Sequence, residues 1–428
     1  MAKFLYRYPE FYFALFLTAG IYKADPRLSF VPKFLDLTVF FEVITILVIL
    51  YNLLKGRLIF GLPPKEILIP YIFIIILGIQ SLSYTLAPIY GTDKILRFLF
   101  ITSPSLFFPI IFLRNKESYI RFSSIFIILG LIMSLDIMSK GLIPGELGFH
   151  TALNTNYLGV GRISGFALLL TLSLLFIIKH NLYKICLLPV IFLFIFNLFI
   201  SGGRGPLVSL ILSVVFIFIY MAFNLIKDRK GKFILNKKNF KIISYMILMF
   251  FLSWLIIGHF SDYFRTIYYR LLFLENLSGD SVEARLSLYN TAINSMRNFP
   301  RNIIGLGIGG FSVFYSGYDA ARGEYPHNIF LEIGAELGIL GLLAFIFIIS
   351  KIIMIAFNNI KNIKLEWAFY TNLGLLASLI FMLINASISG DINDNKLFFA
   401  VLGLILGMRM NLNNKSQNMP NNNSSQTI

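Results

Sequence analysis

The feature that most constrains this chain is a succession of uninterrupted apolar blocks. Each runs to roughly 20 residues, the length a helix needs to cross about 30 Å of hydrocarbon. Such blocks must be helical, because lipid offers no partner to an unpaired backbone amide or carbonyl. They are continuous rather than alternating, which separates them from the strands of a membrane β-barrel. Composition agrees: 57% of the 428 residues are hydrophobic and only 14% are charged, where soluble domains run near a quarter charged. The expected fold is an all-α polytopic membrane protein of about twelve transmembrane helices, near 9–23, 36–54, 66–87, 95–113, 119–139, 156–178, 183–200, 206–226, 242–260, 327–350, 368–388 and 397–410. Residues 1–410 then form one transmembrane helical domain. Residues 411–428, rich in Asn, Ser and Gln, read as a disordered cytoplasmic tail.

A net charge of +16 invites a nucleic-acid reading, but the cations sit mostly in short loops between apolar blocks. That is the topogenic pattern of a membrane protein, with lipids rather than nucleic acid as its surroundings. The loop 227–241 carries Lys227, Arg229, Lys230, Lys232, Lys237, Lys238 and Lys241, so it is expected on the cytoplasmic side. Counting outward from it puts both termini in the cytoplasm of a multi-pass inner-membrane protein. The first external connection dissents, since it holds Lys23, Arg27 and Lys33. One long extracytoplasmic loop, 261–326, breaks the run of short connections, and long loops of this kind tend to carry function. The single cysteine, Cys186, can form no internal disulfide.

Few polar motifs stand out against this background. In Ser201-Gly202-Gly203-Arg204-Gly205-Pro206, glycines let backbone approach a ligand closely and Arg204 offers a planar fork of donors to a phosphate. A tight interhelical turn with an arginine at the headgroups would look the same. Pro326-His327-Asn328 opens the tenth apolar block, with Glu332 and Glu336 one turn apart behind it. At a helix N-terminus the dipole disfavours imidazolium, and a neutral imidazole beside an anion site suits a general base. The glutamates, on a membrane helix, should face the bundle interior and pair with a buried arginine. In the long loop, Arg285, Arg297 and Arg301 are phosphate-binding candidates, and Gly305-Leu306-Gly307-Ile308-Gly309-Gly310 reads as a flexible segment near a ligand. Arg162, early in the sixth block, must be paired or line a cavity. Glu42 and Asp136 read as structural partners.

Absences narrow the chemistry. No phosphate-binding P-loop, His-Glu-x-x-His or Asp-x-Asp pair is present, and the histidines have no metal-site spacing. No cofactor is expected. An external site has no ATP, so any bond made there needs a donor that arrives activated, and a lipid-linked diphosphate is the obvious one.

Taken in order, the Ser201–Pro206 turn, then Arg285, Pro300 and the Gly305-x-Gly307-x-Gly309 run, then Pro326-His327-Asn328-x-x-Leu331-Glu332-x-x-x-Glu336-x-Gly338-x-x-Gly341 resemble the O-antigen ligase and O-antigen polymerase superfamily. The resemblance covers roughly residues 156–344. It implies a metal-independent glycosyltransferase that moves a glycan from an undecaprenyl-diphosphate-linked oligosaccharide to a hydroxyl acceptor. The acceptor is a growing glycan in a polymerase and lipid A core in a ligase, and the polymerase is the preferred reading. By motif, His327 would be the catalytic base and Arg204 and Arg285 would bind the diphosphate. Arg162 would add a basic residue that the family tends to place there, with Glu332, Glu336 and Asn328 in support. From another class, a transporter or flippase of lipid-linked sugars would also account for the spans and internal charges.

Overall fold

The computed structural model describes residues 6–23, 25–32, 35–140, 151–153, 155–226, 280–320, 323–363 and 365–417, together with 261–264 and scattered positions from 244 to 269. Among them the chain is helical and has no strand. In chain order the helices are α1 (Pro9–Tyr22), α2 (Leu37–Leu54), α3 (Lys65–Ser81), α4 (Pro88–Arg97), α5 (Ser103–Phe112), α6 (Lys116–Ser139), α7 (Tyr157–Ile177), α8 (Asn181–Ile200), α9 (Arg204–Ile226), α10 (Asp280–Ser295), α11 (Arg301–Ile304), α12 (Gly310–Ser316), α13 (Ile329–Asn362), α14 (Glu366–Ala386) and α15 (Lys396–Gln417). A π-helical turn, Phe98–Thr102, joins α4 to α5.

Seven of these segments are long and apolar enough to cross a membrane: α2, α4 through α5, α6, α7, α8, α13 and α14. Seven of the twelve expected spans are matched in this way, and the other five are not among them. Helices α1 and α3 have only 14 and 17 residues, α9 counts among the shorter apolar helices and α15 is not one of the seven, and the window 242–260 lies largely, and the basic loop 227–241 wholly, outside the described residues. The tail expected to be disordered from 411 is still helical to Gln417, and 418–428 lie outside the described residues.

Helix α2 reveals the solvent. Its outward face presents Val39, Val43, Leu47 and Leu50, all exposed, while its inward face buries Thr38, Glu42, Thr45 and Asn52. An apolar outside over a polar inside is unstable in water and stable in lipid. Helix α7 is the opposite case and forms the centre of the bundle, packed by α6, α8, α9 and α14. Over its most apolar stretch 83% of residues are buried, against 33% for α2 and for α13. Two of the three cations of the dissenting first connection are paired, and the third, Lys33, lies outside the described residues. Lys23 pairs with Asp36, and Arg27 pairs with Asp25 and with Asp136 at 2.9 and 2.8 Å. Asp136 is thus the structural partner that its position suggests.

The glycine run is not a flexible ligand loop. Residues 305–312 are buried, and the segment is built into the bundle by its backbone. Helix α13 breaks at Gly338, whose φ is +66°. Carbonyls freed by the break are taken up by the run: Leu306 N–H donates to Ala335 O at 2.8 Å and Gly307 N–H to Glu336 O at 3.0 Å. The α3–α4 turn holds the other side, with the Ile308 amide donating to Ser81 and the Thr85 hydroxyl donating to Ile308 O. A Cβ on Gly338 would lie 2.1 Å from Ile303 O, and one on Gly305 2.2 Å from Glu336 O. Gly338→Ala is therefore expected to cost about 3 kcal/mol or more of stability, from positive-φ strain plus backbone collision. Gly317→Ala is the control, because Gly317 has φ +83° but nothing near its missing side chain. Thermal unfolding in detergent checks the pair: similar shifts for both would remove the collision argument.

Candidate active site

The ends of α7, α9 and α13 that carry Arg162, Arg204 and His327 gather at one end of the bundle with the connection between α14 and α15. Gly161 of α7 lacks a side chain where Pro206 of α9 packs; a Cβ there would come within 2.7 Å of the proline ring. Gly205 is likewise closed upon by Ile388, beyond the end of α14. The glycines thus serve helix–helix approach, and their effect is to set the turn bearing Arg204 beside the turn bearing Arg162. Gly390, two residues after Ile388, lies against the Arg162 guanidinium.

A cavity of about 380 Å³ opens among these elements. Arg162, His327 and Tyr325 line it, with Arg97, Asp394 and Lys396. Its apolar wall includes Leu17 and Ile21 of α1 and Ile101 of the π turn. Nε and Nη2 of Arg162 are buried and have no hydrogen-bond partner among the described residues. The same holds for Nδ1 of His327. Buried donors are rarely left so, because each forfeits its hydration without compensation. An arginine fork in that state, on a cavity wall, has donors to offer an anion.

His327 departs from ordinary backbone geometry, with φ +57°. Its ring leans on Tyr325, centroids 4.4 Å apart. Burial first, then the charges of Arg285 and Arg162, lower its pKa to about 4. The imidazole is therefore neutral at physiological pH. Asp394 is pushed the other way by burial and by neighbouring Asp391, against the pull of Arg162 and Arg97. Burial and the same carboxylates also raise the Tyr325 phenol.

Sequence reasoning and structure differ on the helix terminus. Asn328 caps α13: its side-chain oxygen accepts from the Phe330 and Leu331 amides at 3.0 and 3.2 Å, and its carbonyl from Glu332 N–H at 2.9 Å. With these amides used, the donors still open to an anion are the guanidiniums rather than the helix end. Glu332 and Glu336 do not line the cavity. They close on a buried lysine, Lys94 of α4, instead of the expected arginine. Arg285, half-buried on α10, acts on both His327 and Arg162 through its charge. Arg204 is half-buried at the start of α9 and is not among the residues lining this cavity. Arg301 instead lies over the Phe314 ring. Arg97, Tyr325, Asp394 and Lys396 were not anticipated. Arg97 lies just inside the apolar block that opens at 95 and Lys396 just before the one that opens at 397, where a cation ordinarily signals only a membrane boundary.

The sequence profile of the O-antigen ligase family matches residues 189–346. That segment holds Arg204, Arg285, His327, Glu332 and Glu336, and the match is consistent with the ligase and polymerase superfamily that the motifs resemble. O-antigen ligases are glycosyltransferase-like enzymes. Arg162, the connection between α14 and α15, and the start of α15 reach the same cavity from outside the matched segment. No curated protein matches the chain.

Proposed function

We propose that the protein is a membrane glycosyltransferase of the O-antigen polymerase type. It takes a glycan from an undecaprenyl-diphosphate donor and joins it to a hydroxyl of a growing glycan, at the outer face of the inner membrane. One observation carries this reading: a neutral imidazole and an unsatisfied guanidinium share the wall of one cavity, with a second guanidinium close enough to act on both. The O-antigen ligase match supports the reaction class.

In the reaction, His327 takes the proton of the acceptor hydroxyl as that oxygen attacks the anomeric carbon. The bond from this carbon to the diphosphate breaks, and undecaprenyl diphosphate departs with the electron pair. A single displacement inverts the anomeric centre. Arg162 holds the diphosphate from the cavity wall, and Arg285, whose charge reaches the same place, stabilises the charge that grows on it; fixed guanidiniums in a water-poor site supply such stabilisation without reorganising. The diphosphate also arms the base. An anion set against Arg285 and Arg162 offsets the charges that depress His327, so its proton affinity rises once the donor is bound.

The test is a purified-protein assay with undecaprenyl-diphosphate oligosaccharide, offered either further glycan or lipid A core as acceptor. Chain lengthening is the expected product. Transfer to lipid A core alone would turn the reading to the ligase. Movement of donor across proteoliposomes without bond formation would replace it with a flippase.

A further inference from the structure

Lys94 lies outside the reaction just described, yet it touches the elements on which two walls of the cavity are built. It is wholly buried. Its Nζ donates to both carboxylate oxygens of Glu336 at 2.7 Å and lies 2.6 Å from Glu332 Oε1. Both glutamates belong to the stretch of α13 between His327 and the break at Gly338. This short stretch is joined to the rest of α13 through a glycine, so its placement depends on what holds it laterally. The ammonium is one clamp, and the glycine run capping the break is the other.

The backbone of Lys94 reaches the opposite wall. Its carbonyl accepts a hydrogen bond from Asn393 Nδ2 at 3.0 Å, and Asn393 Oδ1 accepts from the Thr102 hydroxyl at 2.7 Å. Thr102 closes the π turn, a widened turn of the kind found at functional positions. Asn393 precedes Asp394, and both line the cavity with Arg162 and Gly390. One helical turn beyond Lys94, Arg97 lines it too. Tyr90, one turn before, lies 5.4 Å beneath the ammonium and reaches Asp391 with its hydroxyl at 3.5 Å.

We propose that Lys94 is a positioning residue: its ammonium between Glu332 and Glu336, and its carbonyl on Asn393, fix the His327-bearing segment and the Gly390–Asp394 wall in one register. This rests on the transferase reading, since register matters when a base on one wall must meet a substrate held by the other. Displacements of an ångström at such a site lower turnover by about a hundredfold.

Two variants test it. Thr102→Val removes one hydrogen bond from Asn393 and does not line the cavity. It is expected to lower kcat about tenfold and leave the donor KM within about twofold. The triple variant Lys94→Met, Glu332→Met, Glu336→Met replaces the buried charges together by apolar side chains of similar volume, a change that folded proteins often tolerate. It is expected to purify folded and lose about a hundredfold in kcat, again at unchanged donor KM. Wild-type kcat in either variant overturns the proposal. So does a loss carried by donor KM, which would move Lys94 into substrate binding, or a triple variant that does not fold, which would make the cluster a requirement of the fold. A wild-type protein without any transfer would defeat the underlying reading as well; an active wild type matched by its variants defeats Lys94 alone.

Discussion

His327→Gly is expected to abolish glycan transfer, by about 10³-fold in kcat, while leaving the protein at least as stable as the wild type. The two halves come from different facts. General-base catalysis contributes about 10²–10⁴-fold where a positioned imidazole is lost. The backbone at 327 has φ +57°, a region where a side chain is held at a cost of order 1 kcal/mol and glycine is not. A histidine kept there only to pack should show the reverse pattern, with activity retained and stability lowered through lost contact with Tyr325. Donor affinity should change little, because the diphosphate is assigned to the arginines. Added imidazole should restore part of the turnover in His327→Gly. The comparison of unfolding temperature with kcat in one preparation decides between the two, and full activity would remove His327 from the reaction.

The membrane class was readable because lipid imposes one rule on every block. Continuous apolar runs of the right length have no other stable form, and helices α2, α7 and α14 begin and end within a few residues of the limits that the runs suggest. Departures occur where tertiary structure overrides length. Helix α3 stops at Ser81, whose hydroxyl is needed by the Ile308 amide, although the apolar run continues beyond it. The glycine run looked mobile because glycine has the most conformations to lose. In the fold those conformations serve approach, and the backbone of 305–307 sits where no side chain could.

The site was legible at its polar motifs and obscure at its partners. Arg162 and His327, far apart in the chain, could be suspected singly because charge or imidazole at a membrane helix end is costly without a purpose. Lys94 escaped notice for the opposite reason. It stands one residue before the apolar window that opens at 95, so it reads as an ordinary flanking cation. Only the closure of α4 on α13 makes it a buried one. Asp394 and Lys396 carry no motif either; their approach to Arg162 depends on how the Gly390 turn packs, which spacing along a chain does not encode.

Arg285→Ala tests the electrostatic half of the mechanism and should leave two separable marks. The first is a fall of about 10²–10³-fold in kcat/KM, the usual consequence of losing one fixed donor at a developing charge. Arg285→Lys should recover little of it, since a point charge cannot reproduce a planar fork across two phosphate oxygens. The second mark is in the pH profile. Burial, Arg285 and Arg162 together lower His327 to about 4 in the free protein. Taking away one cation stabilises imidazolium, so this pKa must rise toward the ordinary value of about 6.5. The base works in its neutral form, and a raised pKa leaves more of it protonated between about pH 4 and 6.5. The acid limb of kcat/KM, which reports the free enzyme, should therefore move upward in the variant. In the wild type the limb of kcat should already lie above that of kcat/KM, because the bound diphosphate neutralises the same cations that the mutation removes. A limb that stays in place, or moves downward, would mean that Arg285 does not act on the imidazole that takes the acceptor's proton.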